Sequence, residues 1–196
     1  MKRKSQRHRI ILPLLFTIHF SLFIVSCQSD SYHIDGFALH LQEGDTIMLA
    51  YDDNPGRPFA MTTVSNGRFW LEGSADESVP CRVYLKRQPS IAAAFFPDAG
   101  TIAVELNLPP TPSRISGTRL NNEWQLMNDA IQRMGKKLIS IVEQQDSDSI
   151  SHMVRLRAVD SLHRKMSAVI VETGSRNRDN PLGRFILDNY KEPEFK

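Results

Sequence analysis

The sequence predicts an α+β fold: an antiparallel β-sandwich or open barrel, then a helical hairpin and a short third helix. Three observations carry that prediction. Between residues 32 and 116, short apolar or alternating runs recur at regular spacing and are broken by turn residues. From Leu120 the apolar spacing changes to steps of three and four, which is the period of one helix face. Asn180-Pro181 then reads as a helix start, with Asn as the cap and Pro at the first helical position.

The expected strands are Tyr32–Leu39, Thr46–Tyr51, Phe59–Val64, Arg68–Glu72, Arg82–Lys86, Ile91–Phe96, Thr101–Leu106 and Arg114–Ser116. Glu43-Gly44-Asp45 and the run Asp52 to Gly56 read as loops. Ser65-Asn66-Gly67 is the strongest hairpin signal, because Asn-Gly accepts the positive φ angles of a type I′ turn. Asp98-Ala99-Gly100 is expected to close the next hairpin, and the Pro-rich run from Leu108 to Pro112 cannot pair as a central strand. Strand side chains alternate between faces, so of the neighbours Phe69 and Trp70 one must point away from the core.

The first helix carries its stripe on Leu120, Trp124, Met127, Ile131, Met134, Leu138 and Ile141, with Thr118 or Asn121 as its expected cap. A second helix after the polar stretch Gln144 to Asp148 has Ile150, Met153, Val154, Ala158, Leu162, Met166, Val169 and Ile170 on one face. Gly174 is its expected stop and Ser175–Asp179 an exposed loop. The third helix is expected to reach about Tyr190. A two-helix hairpin buries only one stripe per helix, so this region needs a further surface to lean on. Trp124 is expected to dock on the β-region, and the end around Met134 to Val154 to stay open as a partner surface.

The start of the chain has a different character. Lys2, Arg3, Lys4, Arg7 and Arg9 precede an apolar run from Ile10 to Val25 that is short for a membrane span. Ile24-Val25-Ser26-Cys27 resembles the lipobox of bacterial lipoproteins. That resemblance makes residues 1–26 a signal peptide and Cys27 the site of a diacylglyceryl thioether and a further acyl chain such as palmitate. Residues 27–31 are then a lipid tether, 32–117 a β-rich domain and 118–196 a helical hairpin and linker. Two or three acyl chains anchor stably, since each buried methylene contributes about 0.8 kcal/mol. The implied location is the cell envelope, with the lipid in the outer membrane.

Cleavage also changes the charge. The whole chain carries +2, but removing the five basic residues of the leader from its 24 Lys and Arg leaves 19 against 22 Asp and Glu, a net of −3. This gives no electrostatic case for nucleic acid as a partner. Once Cys27 is acylated, Cys81 is the remaining thiol, so neither an internal disulfide nor a dithiol redox pair is expected.

The order of several runs carries a family resemblance. Asp45–Leu49 comes first, then Thr63 to Phe69 with Glu72-Gly73. Phe95-Phe96-Pro97-Asp98-Ala99-Gly100-Thr101-Ile102 follows, and then Ile115-Ser116-Gly117-Thr118 with Leu120-Asn121. The chain resembles the β-rich domain of unknown function at the N-terminus of Bacteroidetes lipoproteins. There it precedes a helical linker and a thioredoxin-like module of the peroxidase/thiol-specific-antioxidant type. The segment ending Asn180-Pro181-Leu182-Gly183 resembles that linker, and the C-x-x-C of the module has no counterpart in this sequence. The family's redox activity therefore maps onto no residue here.

The residue pattern carries none of the common catalytic motifs. There is no G-x-S-x-G, S-x-x-K or H-E-x-x-H, and no Gly-rich phosphate loop. His33 with His40, and His152 with His163, lack metal-ligand spacing, and Asp52-Asp53-Asn54 offers turn chemistry rather than a calcium loop. No catalytic residue, metal site or cofactor is expected. Cys81 reads as a small buried hydrophobe. Trp70 is the candidate ligand-binding residue, because an exposed indole can stack on a sugar ring. The expected function is a non-catalytic, membrane-anchored interaction or accessory module that binds an envelope protein through its helical region, in association with thiol-disulfide redox proteins. The alternatives are a surface binding module for a small molecule or glycan, or a truncated remnant of a thioredoxin-type oxidoreductase.

Overall fold

The computed structural model describes residues 31–75, 79–143 and 149–190; Cys27 and the leader lie outside them. Eight strands come first: β1 (Ser31–Phe37), β2 (Thr46–Tyr51), β3 (Ala60–Thr63), β4 (Arg68–Ser74), β5 (Cys81–Leu85), β6 (Gln88–Phe95), β7 (Gly100–Glu105) and β8 (Arg114–Ser116). Helices α1 (Arg119–Val142), α2 (Ser149–Arg176) and α3 (Pro181–Asn189) follow. None of the described helices is long and apolar enough to cross a membrane.

The strands form two four-stranded sheets that do not close into a barrel, in the orders β4-β1-β7-β8 and β3-β2-β5-β6. All pairings are antiparallel except one: β1 runs parallel to β7, with Ile34 opposite Ile102. The inner faces meet in one core that includes Tyr32, Ile34, Leu49, Phe69, Val83, Phe95, Ile102 and Val104. Burying each large apolar side chain contributes about 1.5–3 kcal/mol. Gly36 faces Phe69 across the β1–β4 ladder, and a β-carbon there would overlap the Phe69 ring. The missing side chain is what lets that ring lie flat in the core.

Two turns differ from the hairpins expected of them. Asn66 and Gly67 do adopt positive φ, at 52° and 70°, and Ser65 and Arg68 exchange backbone hydrogen bonds of 2.8 and 3.0 Å. Yet β3 and β4 then part into different sheets. Likewise Asp98–Gly100 carries the chain from β6 in one sheet to β7 in the other. Both turns are corners of the sandwich, because the apolar face of each following strand is buried against the opposite sheet.

The corners fix which loops share an end. Where β1 begins, Ser31 pairs with Ser74 at the end of β4, and the Tyr32 and Phe95 rings meet edge to face at 5.4 Å. The Asp52 N–H donates to the Pro80 carbonyl at 3.0 Å, which ties the β2–β3 loop to the entry of β5. The start of α1 is held at the same end, where Leu120 N–H donates to Asp98 Oδ2 at 3.2 Å.

The helices form a second, smaller core. Phe96, Leu120, Met127, Leu182 and Ile186 are buried together, with Trp124, Ile131, Val169, Ile170, Phe185 and Tyr190 against them. Thr118 occupies the N-cap position of α1 without a side-chain capping bond, whereas Asn180 caps α3 by accepting from Gly183 N–H at 3.1 Å, just ahead of Pro181. Gly174 does not stop α2, which continues to Arg176. A β-carbon at 174 would lie 2.9 Å from Ile186 Cγ2, so this glycine lets α3 approach closely. The segment 175–179 is not wholly exposed either: Asn177 is buried and its amide donates to the Thr173 carbonyl at 3.0 Å.

Candidate functional site

Two surfaces stand out, one at the helices and one on the outer face of a sheet. The first begins at a built joint. Asn121 is fully buried; its amide oxygen accepts from Phe96 N–H at 2.8 Å and its nitrogen donates to the Phe96 carbonyl at 2.9 Å and to Thr118 Oγ1 at 2.8 Å. The backbone of Phe96 belongs to no ladder at this point, so the amide of Asn121 supplies what a neighbouring strand would. One turn on, Trp124 Nε1 donates to the Ala94 carbonyl at 3.1 Å, and its ring stands edge-on to Phe96 at 5.5 Å and to Phe185 at 6.1 Å. Trp124 thus docks on the β-region, as its place on the stripe predicts.

Gln125 continues the joint by accepting from Ile115 N–H at 2.8 Å, and it donates to Asp129 at 2.8 Å. Arg114 on β8 grips the Asp129 carboxylate with bonds of 2.7 and 3.2 Å. The hydrogen bond from Arg114, assisted by that from Gln125, holds the Asp129 carboxyl below its usual range against the opposing effect of burial.

Beside this joint lie two clefts. A cleft of about 260 Å³ lies between Ala92, Ala94, Trp124, Asn128 and Ile131, and a second of about 350 Å³ lies between Pro110, Pro112, Ile131, Gly135, Ile139 and Met166. Ile131 and Gln132 line both. Three residues past Ile139, where the first helix ends and the second begins, Arg155 Nη1 donates to the Val142 carbonyl at 3.4 Å. Ile139, Val142, Met153, Val154 and Leu156 are all exposed there, Val154 by 60%. Exposed apolar side chains are a liability in water where they lie together on one face.

The second surface is the outer face of the sheet holding β1 and β4. Trp70 is 55% exposed there, while its neighbour Phe69 is fully buried. Sequence reading missed its companions. The Arg68 guanidinium lies 4.7 Å from the Phe37 ring centre and 5.8 Å from that of Trp70. Its Nη2 donates to both Asp35 oxygens, at 2.7 and 2.9 Å. Arg68 Nε is shielded from solvent and has no hydrogen-bond partner among the described residues. His33 and Glu72 sit further along the same face at 3.2 Å.

The remaining candidates do not gather into a site. Cys81 is buried in the sandwich core. Asp52 is held by Arg82 Nε at 2.6 Å, as part of a loop anchor. Among the described residues, no three His, Cys, Asp or Glu side chains could jointly hold a metal ion.

No curated protein and no solved structure matches the chain. Residues 32–124, the sandwich together with the start of α1 as far as the docked Trp124, match the family of a domain of unknown function (DUF4369).

Proposed function

We propose that this chain is a lipid-anchored, non-catalytic interaction module of the bacterial cell envelope, held in the outer membrane through Cys27 and binding an envelope protein through the far end of its helical hairpin. The observation that carries the partner surface is the exposure of Ile139 and Val142 at the end of α1 and of Met153 and Val154 at the start of α2. The lipobox-like Ile24-Val25-Ser26-Cys27 supports the anchor. The resemblance to domains that precede a thioredoxin-like module favours a thiol-disulfide redox protein as the partner.

A photo-crosslinker at Val154 in the full chain, expressed in its own envelope, tests the reading. The expected product is one heterologous adduct that disappears when Ile139 is changed to Asp. An adduct of twice the chain's own mass, or none, would overturn it. The non-catalytic part predicts no turnover in an insulin-reduction assay, because exchange needs an attacking and a resolving thiol. Turnover lost in Cys81→Ser would sink that part.

A second reading, a surface module for a glycan or small molecule, is favoured by the exposed Trp70 beside Arg68 and Phe37. Stacking on Trp70 would change indole fluorescence on titration with a glycan, and Trp70→Ala should abolish the change while Trp124 remains.

A further inference from the structure

We propose that the end of the sandwich where β1 begins rests against the membrane surface, with Phe59 and Val79 as its contact residues, so that the hairpin's far end points away from the lipid. The proposal rests on the anchor reading of Cys27 and adds an orientation to it.

Tether length is the first support. Four residue steps separate Cys27 from Ser31, the first residue of β1. A fully extended chain spans at most about 3.3–3.6 Å per residue, so the lipidated residue lies within roughly 14 Å of the sandwich. The sandwich cannot stand clear of the headgroups at that reach.

The loops at that end supply the second. They are the β2–β3 connection, the entry to β5 and the β6–β7 corner, tied together by the Asp52–Pro80 hydrogen bond and the Tyr32–Phe95 contact. Phe59, 48% exposed, lies on this β2–β3 loop with its ring 4.9 Å from that of Tyr51, and Val79 is exposed at the entry to β5. An aromatic and an aliphatic side chain exposed at the anchored end suit the apolar-to-polar boundary of a bilayer. Exposed charge at this end is of both signs, with Arg57, Arg119 and Arg178 against Asp53 and Asp179, so charge adds little to the pull.

The course of α1 sets the opposite pole. Its start is bonded to Phe96 and Asp98 at the anchored end. Trp124 then meets Ala94, Gln125 meets Ile115 and Asp129 meets Arg114. Ile131 and Ile139 flank Pro110 and Pro112 in the loop at the far end of the sandwich. The helix therefore runs the length of the sandwich away from the lipid, and at about 1.5 Å per residue the stretch from Ile131 to Val142 adds roughly 17 Å. The apolar surface on Val142 and Val154 is thereby offered to a protein standing off the membrane.

The test uses the full acylated chain in phosphatidylcholine vesicles containing a headgroup-quencher lipid. A fluorophore is placed on Arg57→Cys or on Val142→Cys; Cys81 is buried and Cys27 carries lipid, so neither competes for the label. The mass of the chain is measured first. Quenching is expected to be several-fold stronger at 57 than at 142. Equal quenching, or stronger quenching at 142, on an acylated chain would overturn the orientation alone. A chain found unacylated would overturn the anchor reading and the orientation with it.

Discussion

The sandwich and the helical region solve the same problem unequally. Among the described residues, the sandwich closes a core of eighteen buried residues between two sheets, whereas the helical core has five, one of which, Phe96, belongs to the β-region. Of the helical four, Leu120, Met127, Leu182 and Ile186 all sit near the joint with the sandwich. Beyond Ile131 the hairpin has side chains packed on one flank and exposed on the other. Stability is therefore concentrated in the sandwich and its joint. The hairpin's far end is the low-stability part of the molecule, from which binding surfaces are commonly drawn.

This contrast can be broken most directly in the sandwich. Phe69→Ala removes a fully buried ring and leaves the hollow above Gly36 unfilled. The expected loss is about 3–5 kcal/mol in a denaturant titration. A loss below about 1 kcal/mol would mean that the sandwich does not dominate. The joint comes next. Asn121→Ala strands the N–H of Phe96 away from water, while the Phe96 carbonyl keeps the Asp98 N–H at 2.8 Å, at an expected cost of about 1–3 kcal/mol. Hydrogen exchange should show the helices opening ahead of the strands in this variant; uniform loss of protection would make the two regions one cooperative unit.

The same contrast explains what could be read from the chain. Strand positions were legible because alternation and turn residues are local: Tyr32 and Ile34 point in while His33 points out, and Phe69 is buried while Trp70 is not. Pairing between distant strands leaves no local mark. The parallel β1–β7 ladder was therefore not foreseen, and neither was the meeting of Arg68, Phe37 and Asp35 beside Trp70, which depends on the β1–β4 register. Asn-Gly marked a tight turn correctly but could not tell whether the next strand stays in the sheet or crosses over. Gly174 misled for a related reason. A glycine near the end of a helical stripe reads as a stop, but here the approach of α3, set by tertiary packing, is what it accommodates.

A smaller effect tests the electrostatics of the joint. The Arg114–Asp129 pair links β8 to α1, and the carboxyl of Asp129 is held below its ordinary value of 3.8. A depressed folded-state pKa adds stability above the unfolded value, and that contribution is lost as pH falls through the folded value. Asp129→Asn should thus lower the melting temperature slightly near neutral pH, on the scale of about 0–1 kcal/mol for a partly exposed pair. The difference from wild type should shrink as pH drops below 3.8. A gap that widens on acidification would mean that Asp129 matters through packing rather than through its charge.

The smallest effect on stability is expected where the effect on binding should be greatest. Ile139 and Val154 are exposed at the hairpin's far end, so replacing both with Ser removes little area that folding had taken from water. Their combined change in unfolding free energy should stay within about 0.5 kcal/mol, the usual range for surface sites. With the photo-crosslinker moved to Val142, the same double variant should lose the adduct that the otherwise wild-type chain forms from that position. Apolar area that folding leaves exposed is available to a partner, and burying it there would contribute about 25 cal/mol per Å² before the costs of association. A double variant that keeps its adduct would move the partner surface elsewhere, with Trp70 as the next place to look. One that unfolds readily would show instead that the far end of the hairpin is already covered within the chain.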